Sequence, residues 1–220
     1  MKTSIVVVVY NKWCGESYTC QFLKNTKCPP DFVLVIDNST KPIDNKSYCK
    51  ENNWMYHSMK GNAGLTKAYN EAVSVLKDKT DVIVWADDDT HFPESYFESL
   101  GNYINQNQNA NVFLPIVKSN DTIISPCLFS TKEMIIANSV DELANKEISA
   151  INSGMAVKMS LYDNYRYDEK YFLDYVDHDF MRWCRLNSKD FCVMKDINLE
   201  QTFFAQGTAS KKAKLIMFNI

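Results

Sequence analysis

The run Val82–Ala86, followed by three consecutive aspartates, constrains the fold of this chain more than any other stretch. Its apolar and mostly β-branched residues are typical of a strand that is buried on both faces. Asp87, Asp88 and Asp89 stand where that strand ends, and adjacent carboxylates repel one another unless a positive charge offsets them. Hard divalent cations such as Mg²⁺ and Mn²⁺ prefer carboxylate oxygens. The stretch favours a cation site at the end of a central strand, and a solvated acidic turn is the alternative.

The length and composition of the chain predict one soluble globular domain. Its 220 residues are 45% hydrophobic and 23% charged, which suffices for a substantial core. The net charge of −3 gives no support for a nucleic-acid partner. Seven cysteines without a C-x-x-C pair, and no pattern of a signal peptide, favour reduced thiols. We therefore expect a cytoplasmic protein.

Apolar strands and amphipathic helices alternate along the first half of the chain. Strands are predicted over 4–10, 32–36, 54–57, 82–86 and 112–117. Helices are predicted over 17–24 and 65–77, and from a Thr90 cap through Pro93 to Ile104. Further helices are expected near 140–145 and from Val176 onward. This alternation predicts an α/β fold with βαβ units and a mostly parallel sheet.

Polar residues follow three of these strands, at Tyr10–Lys12, Asp37–Ser39 and Asp87–Asp89. Because the carboxyl ends of parallel strands lie on one edge of a sheet, we expect these clusters to share one crevice. A fourth cluster, Asn62–Gly64, opens a predicted helix whose N-terminal amides favour phosphate. The chain has no G-x-G-x-x-G and no P-loop pattern, which argues against dehydrogenases and P-loop NTPases.

Five motifs, in this order, resemble those of family 2 glycosyltransferases with the GT-A fold. They lie at 5–12, 35–40, 61–70, 85–90 and 171–180. The last, which contains Phe-Leu-Asp-Tyr-Val-Asp, is especially similar to bacterial rhamnosyltransferases and galactofuranosyltransferases. The resemblance extends over residues 3–185. It implies a single GT-A domain over 1–220, with a mostly parallel central mixed sheet, a nucleotide-sugar-binding half at 1–118 and an acceptor-binding half with the catalytic base at 150–220.

The resemblance also implies roles for the residues at matching positions. It implies a catalytic base at Asp177, and a Mn²⁺ or Mg²⁺ ion bound by Asp87 and Asp89. The implied nucleotide contacts are Val9, Tyr10, Asn11, Asp37, Asn38, Asn62, Gly64, Lys67 and Asp88. The implied sugar and acceptor contacts are Asn152, Ser153, Gly154 and Asp174.

Metal binding is one point at which this chain departs from the family pattern. Many members carry a histidine near the C-terminus as a further metal ligand, whereas Asn198–Thr202 contains none. The chain is therefore expected to bind the metal more weakly, or through aspartates, diphosphate and water alone.

Glycosyl transfer has chemical needs that these residue types meet. A departing diphosphate gains negative charge, which a divalent cation neutralises. The acceptor hydroxyl loses a proton, which a carboxylate accepts. If one carboxylate serves as the base and no covalent intermediate forms, the acceptor attacks in line and the anomeric configuration is inverted. The resemblance thus implies an inverting, metal-dependent enzyme that uses a UDP- or dTDP-sugar and a glycan or lipid-linked acceptor in bacterial surface polysaccharide (O-antigen or capsule) synthesis.

Two alternatives stay open at this point. A sugar nucleotidyltransferase would need a glycine-rich basic loop after the first strand. The sequence there, Asn11–Cys14, contains no glycine and does not match such a loop. A non-catalytic nucleotide-sugar-binding protein is consistent with the missing histidine.

Lysines 211, 212 and 214 are a candidate contact with an anionic lipid carrier or the inner face of the cell membrane.

Overall fold

The structure is a computed structural model, and it describes residues 1–120, 122–129, 134–135, 143 and 148–201. The strands are β1 (Thr3–Val9), β2 (Phe32–Asp37), β3 (Met55–Ser58), β4 (Val82–Asp87), β5 (Val112–Ser119), β6 (Thr122–Ser125), β7 (Cys127–Phe129), β8 (Met134–Ile135), β9 (Ile148–Ser149), β10 (Ala156–Lys158) and β11 (Phe191–Glu200). The helices are α1 (Tyr18–Asn25), α2 (Asn45–Glu51), α3 (Leu65–Leu76), α4 (Tyr96–Gln106) and α5 (Val176–Leu186).

A central mixed sheet runs in the order β11-β5-β10-β4-β1-β2-β3, with β6 paired to the end of β5. Strands β3, β2, β1 and β4 are parallel neighbours, and β5 and β11 are parallel to each other. Strand β10 is antiparallel to both of its neighbours, β4 and β5. The predicted α/β class and the mostly parallel sheet are therefore confirmed. A small sheet, β8-β7-β9, lies apart from the central one.

The register of the central sheet places the ends of its parallel strands level with one another. Val9 pairs with Asp37, and Val8 pairs with Asp87. Since β5 and β11 run in the same direction as β4, residues that follow β11 reach this edge as well. The residues that precede the antiparallel β10 arrive at the same edge. Strands from both predicted halves of the chain thus share one sheet.

Alternation along β1 divides the core into two layers. Val6 belongs to a cluster with Tyr69 of α3 and Phe180 of α5. Its neighbour Val7 belongs to a second cluster, which contains Leu100 of α4. Both faces of the sheet are covered by helices, which explains the continuous apolar character of β1. Within the described ranges, no helix combines the length and apolar content needed to cross a membrane.

Some local predictions were wrong. Helix α4 begins at Tyr96, and Thr90 does not cap it. The segment before α4 is held extended because His91 pairs with Glu200 of β11, and the buried Thr90 hydroxyl has no hydrogen-bond partner. Helix α2, capped by the Asp44 side chain on the Ser47 amide, was not predicted. The helix expected near 140–145 and the lysines at 211–214 lie outside the described residues, apart from Leu143.

Candidate active site

Asp37 is a buried carboxylate at the end of β2, with 5% of its surface exposed. Its Oδ1 accepts a hydrogen bond from the Ser39 amide at 3.0 Å. Its Oδ2 accepts from Asn45 Nδ2 at 3.2 Å and from the Tyr56 hydroxyl at 3.0 Å. Burial, and next the Asp37 carboxylate, raise the pKa of Tyr56 to about 12, so this hydroxyl stays a donor. Three donors from three elements therefore fix the orientation of the Asp37 carboxylate.

The loop after β1 forms a wall beside Asp37. Val9 accepts a hydrogen bond from the Asn38 amide at 2.9 Å, which joins the ends of β1 and β2. Asn11 has a positive φ of 52°, and its Oδ1 accepts from the amides of residues 40 and 41, each at 3.0 Å. The Tyr10 side chain is 50% exposed. This wall therefore offers an aromatic face to a planar ring.

The first backbone amides of α3 and the loop before it are hydrogen-bonded to other parts of the protein. Asn62 Oδ1 accepts from Asn38 Nδ2 at 3.1 Å and from the Gly64 amide at 3.2 Å. The Leu65 amide donates to the Phe172 carbonyl at 2.7 Å. The Gly64 and Leu65 amides are therefore engaged by protein acceptors, and phosphate binding at this helix end stays a prediction.

Asp88 differs from Asp87 and Asp89 because its side chain forms an ion pair with Lys12. Lys12 Nζ lies 2.6 Å from Asp88 Oδ1, and both side chains are largely buried. The Ser17 hydroxyl donates to the Asp88 carbonyl at 2.6 Å, and the Thr19 hydroxyl donates to the Asp87 carbonyl at 2.5 Å. Helix α1 and the loop before it thus hold the acidic turn in place, and Lys12 offsets mainly the charge of Asp88 and, to a smaller extent, that of Asp89.

Asp87 and Asp89 point towards one common group, the side-chain amide of Gln201. Gln201 Nε2 lies 3.2 Å from Asp87 Oδ2 and 3.3 Å from Asp89 Oδ1. The Ser153 hydroxyl also lies 2.7 Å from Asp87 Oδ2. Two carboxylates, from residues two apart in sequence, therefore converge on a single donor position.

Burial, and next the neighbouring carboxylates, raise the pKa of Asp87. Burial is the main cause, and the nearby carboxylates of Asp89 and Asp177 act in the same direction. Hydrogen bonds from Ser153 and Gln201 act in the opposite direction. The charge of Asp177 therefore acts on the Asp87 carboxylate, although the two side chains share no hydrogen bond.

The residues present fit a hard divalent cation between Asp87 and Asp89. Both facing atoms are oxygens, and the donor hydrogens of one amide now lie between them. Among the residues that the structure describes, no group of three or more His, Cys, Asp or Glu side chains is arranged to hold a metal ion. Such a cation would therefore take its other ligands from different groups, such as diphosphate oxygens and water.

Asp177 lies in the first turn of α5, where its Oδ1 accepts a hydrogen bond from the His178 amide at 2.8 Å. His178 Nδ1 lies 2.7 Å from the Ser149 hydroxyl of β9, and both residues are buried. Further along α5, Arg185 Nη1 donates to the Ile148 carbonyl at 2.5 Å. The small sheet therefore holds the helix that carries Asp177 at two points.

The segment before β10 forms the floor beneath Asp87. Gly154 has a φ of 72°, its amide donates to the Trp85 carbonyl at 2.7 Å, and its carbonyl accepts from the Tyr96 hydroxyl at 2.6 Å. Asn152 is buried, and its Oδ1 has no hydrogen-bond partner. Its side-chain amide faces Tyr69. The pKa of Tyr69 is raised well above its usual value, mainly by burial and next by the charge of Asp87.

Two of the predicted site residues lie at the exposed rim. Asp174 is exposed, next to Phe172 and Leu173, whose side chains are 55% and 60% exposed. Lys67 is 53% exposed in its side chain, and its Nζ lies 4.0 Å from Glu169 Oε2. The edge of the sheet thus carries a buried acidic centre and a rim with polar and apolar side chains.

The family model for glycosyl transferase family 2 matches residues 4–190 of the chain. The chain belongs to this family. The predicted family is confirmed, whereas the rhamnosyltransferase-like branch stays a prediction.

Solved structures show the same GT-A fold. S. aureus TarS 1–349 in complex with UDP has a TM-score of 0.68 and 18% identity, covering 92% of this chain and 61% of that one. The complex of TarS 1–349 with UDP-GlcNAc has a TM-score of 0.65 and 17% identity, with 94% and 60% covered. GalNAc-T7 with UDP, GalNAc and Mn²⁺ has a TM-score of 0.70 and 12% identity, with 99% and 47% covered. The chain thus spans about 60% of TarS 1–349. Comparison with curated proteins finds no match.

Several residues of this site were not predicted. They are Asn45, Tyr56, Tyr69, Ser149 and Gln201. Lys12 was predicted only as part of the polar cluster after the first strand, and its ion pair with Asp88 was not. Gln201 directly follows β11, so the rule that selected Asp37 and Asp87, a polar residue after a parallel strand, also applies to it. The sequence of β11, FCVMKDINLE, lacks the continuous apolar run of β1 and β4, so the sequence alone does not show where this strand ends.

Proposed function

We propose that this family 2 glycosyltransferase moves a sugar from a UDP- or dTDP-sugar to a hydroxyl group of a glycan or lipid-linked acceptor. We further propose that the reaction is inverting and depends on Mn²⁺ or Mg²⁺, and that it serves bacterial surface polysaccharide synthesis. The observation that carries the proposal is the convergence of Asp87 and Asp89 on one position at the edge of the sheet, where the charge of Asp177 also acts on the pKa of Asp87. The structures of TarS with UDP-GlcNAc and of GalNAc-T7 with UDP, GalNAc and Mn²⁺ support the class of donor.

The nucleotide would bind at the ends of β1 and β2. Tyr10 offers its exposed ring to the base, and the fixed carboxylate of Asp37 accepts from a ring N–H. Asn11, Asn38 and Asp88 would border the ribose. Because Lys12 already pairs with Asp88, the carboxylate of Asp88 is oriented before the donor arrives. We assign this half of the site, with Asn62, Gly64 and Lys67, to residues 1–118.

The acceptor would bind at the side of α5. Asp177 accepts the proton of the acceptor hydroxyl, and the oxygen of that hydroxyl forms the new bond to the anomeric carbon. The bond from that carbon to the diphosphate breaks on the opposite face, and this inverts the configuration. A divalent cation bound to Asp87 and Asp89 would neutralise the negative charge on the departing diphosphate.

Asn152, Ser153 and Gly154 would form the floor of the sugar pocket, and Asp174 would contact donor or acceptor at the rim. The buried and unpartnered Asn152 Oδ1 is an acceptor suited to a sugar hydroxyl. We assign the acceptor half to residues 150–220. Contact with the inner face of the membrane is part of the proposal through the lysines at 211, 212 and 214.

The test is a panel of UDP- and dTDP-sugars with Mn²⁺, in which release of nucleoside diphosphate is measured. Asp177→Asn should lower kcat about 10²- to 10⁴-fold, because general-base catalysis contributes that much. Asp179→Asn is the matched control, since it changes the same chemistry in the same helical turn. Wild-type transfer by Asp177→Asn would refute the assignment of the base. Pyrophosphate release from a nucleoside triphosphate and a sugar 1-phosphate would indicate a nucleotidyltransferase instead.

A further inference from the structure

Gln201 reaches the acidic centre from a backbone that is fixed on both sides. Its amide donates to the Lys118 carbonyl of β5 at 3.0 Å. The preceding residue, Glu200, pairs with His91, whose amide donates to the Glu200 carbonyl at 3.1 Å. The side chain of Gln201 is therefore directed between Asp87 and Asp89 by the sheet itself.

The side-chain amide of Gln201 has a hydrogen-bond conflict in this orientation. Its Oε1 lies 2.6 Å from the Ser153 hydroxyl, which also lies 2.7 Å from Asp87 Oδ2. A serine hydroxyl has one proton and can satisfy only one of these two oxygens at a time. One short oxygen–oxygen contact is thus left without a hydrogen.

A half-turn of the Gln201 amide resolves this conflict. Nε2 would then donate to the Ser153 oxygen, and the Ser153 hydroxyl would donate to Asp87 Oδ2. Oε1 would take the present place of Nε2, which is 3.2 Å from Asp87 Oδ2 and 3.3 Å from Asp89 Oδ1. Three oxygens that face one point repel one another unless a cation lies between them.

We propose that Gln201 is a ligand of the divalent cation, through Oε1, together with Asp87 and Asp89. This inference rests on the proposed metal dependence and adds the third protein ligand. Without a cation, Nε2 holds the two carboxylates together, so the site is arranged before the metal binds. Because all three protein ligands are oxygens, the site takes hard cations and does not strongly prefer Mn²⁺ to Mg²⁺.

The test measures Mn²⁺ and Mg²⁺ binding to the whole chain in the presence of UDP, by electron paramagnetic resonance and by calorimetry. Gln201→Met retains the length of the side chain and removes the ligand atom, and it should weaken Mn²⁺ binding about 10-fold. Gln201→His should favour Mn²⁺ over Mg²⁺, because imidazole suits the softer cation. It should also introduce a nitrogen coupling in the Mn²⁺ spectrum that the wild type lacks.

Asp87→Asn separates the possible outcomes. If Asp87→Asn abolishes Mn²⁺ binding and Gln201→Met binds as tightly as wild type or more tightly, Gln201 is not a ligand and only this inference fails. If the wild type itself binds no Mn²⁺ in the presence of UDP, the proposed metal dependence fails as well. A Mn²⁺ spectrum of Gln201→His that shows no nitrogen coupling would likewise overturn the inference. Urea unfolding of each variant establishes that the fold is retained.

Discussion

The contact between Gly64 and the Phe172 backbone links the predicted nucleotide side of the site to the segment that carries Asp174 and Asp177. Gly64 has φ 88° and ψ 162°, a region that only glycine adopts readily. A Cβ at this position would lie 2.9 Å from the Phe172 carbonyl oxygen and 2.8 Å from its Cδ2. Gly64→Ala should therefore both destabilise the chain and displace the 172–177 segment.

The magnitude follows from two contributions, the backbone conformation and a lost hydrogen bond. The backbone conformation costs a non-glycine residue about 1–3 kcal/mol. The Phe172 ring is 55% exposed and can turn away, but its carbonyl accepts from the Leu65 amide at 2.7 Å. Moving that carbonyl loses a hydrogen bond, at about 1 kcal/mol. The variant should thus lose roughly 2–4 kcal/mol, which at a urea slope of about 2 kcal/mol/M lowers the midpoint by about 1–2 M.

The assay is urea unfolding together with kcat for sugar transfer, with two glycine variants as controls. Gly61→Ala also has a positive φ, of 136°, but its Cβ meets nothing within 4 Å, so it measures the backbone cost alone. Gly101→Ala lies within α4 in open space and should stabilise the chain by about 1 kcal/mol. A displacement near 1 Å at the segment of Asp177 should lower kcat about 100-fold. A Gly64→Ala midpoint no lower than that of Gly61→Ala would refute the steric argument.

Three further predictions concern groups that hold the site in place. Asn45→Ala removes a donor to Asp37 and the acceptor of the Cys14 amide, so UDP should bind about 10-fold more weakly in a calorimetric titration. Ser149→Ala leaves the buried Nδ1 of the histidine beside Asp177 unpaired, and kcat should fall about 10-fold at an unchanged donor KM. Burial raises the pKa of Asp179 above 3.8, so the folded chain binds more protons than the unfolded chain and loses stability as the pH rises through that window. Asp179→Asn should therefore have a higher urea midpoint than the wild type at pH 7, and the difference should shrink towards pH 4.

Each of these predictions has an opposing outcome. UDP affinity that is unchanged in Asn45→Ala would mean that Asp37 does not contact the nucleotide. A rise in donor KM without a change in kcat in Ser149→Ala would mean that the small sheet orients the donor and not Asp177. A midpoint for Asp179→Asn that falls below that of the wild type at pH 7 would show that the charged carboxylate stabilises the start of α5.

The sequence predicted the strands β1 to β5 and the acidic turn because these depend on local order. A run such as Val82–Ala86 is apolar throughout because helices cover both faces of its strand. The predicted crevice followed from one rule, that parallel strands end at one edge, and the register of Val9 with Asp37 fulfils it. Errors arose where a distant segment determined the local conformation. The segment after Thr90 stays extended because it pairs with Glu200.

By itself, the sequence determined the α/β class, the family and the carboxylates around which the site is built, since these follow from residue type and spacing. Only the tertiary structure decided which groups hold those carboxylates. Gln201 meets Asp87 and Asp89 across separations of 114 and 112 residues, and Ser149 meets His178 across 29. No periodicity in the sequence carries information about such pairs, because a hydrogen bond depends on the distance between two atoms in the folded chain and not on their separation along it.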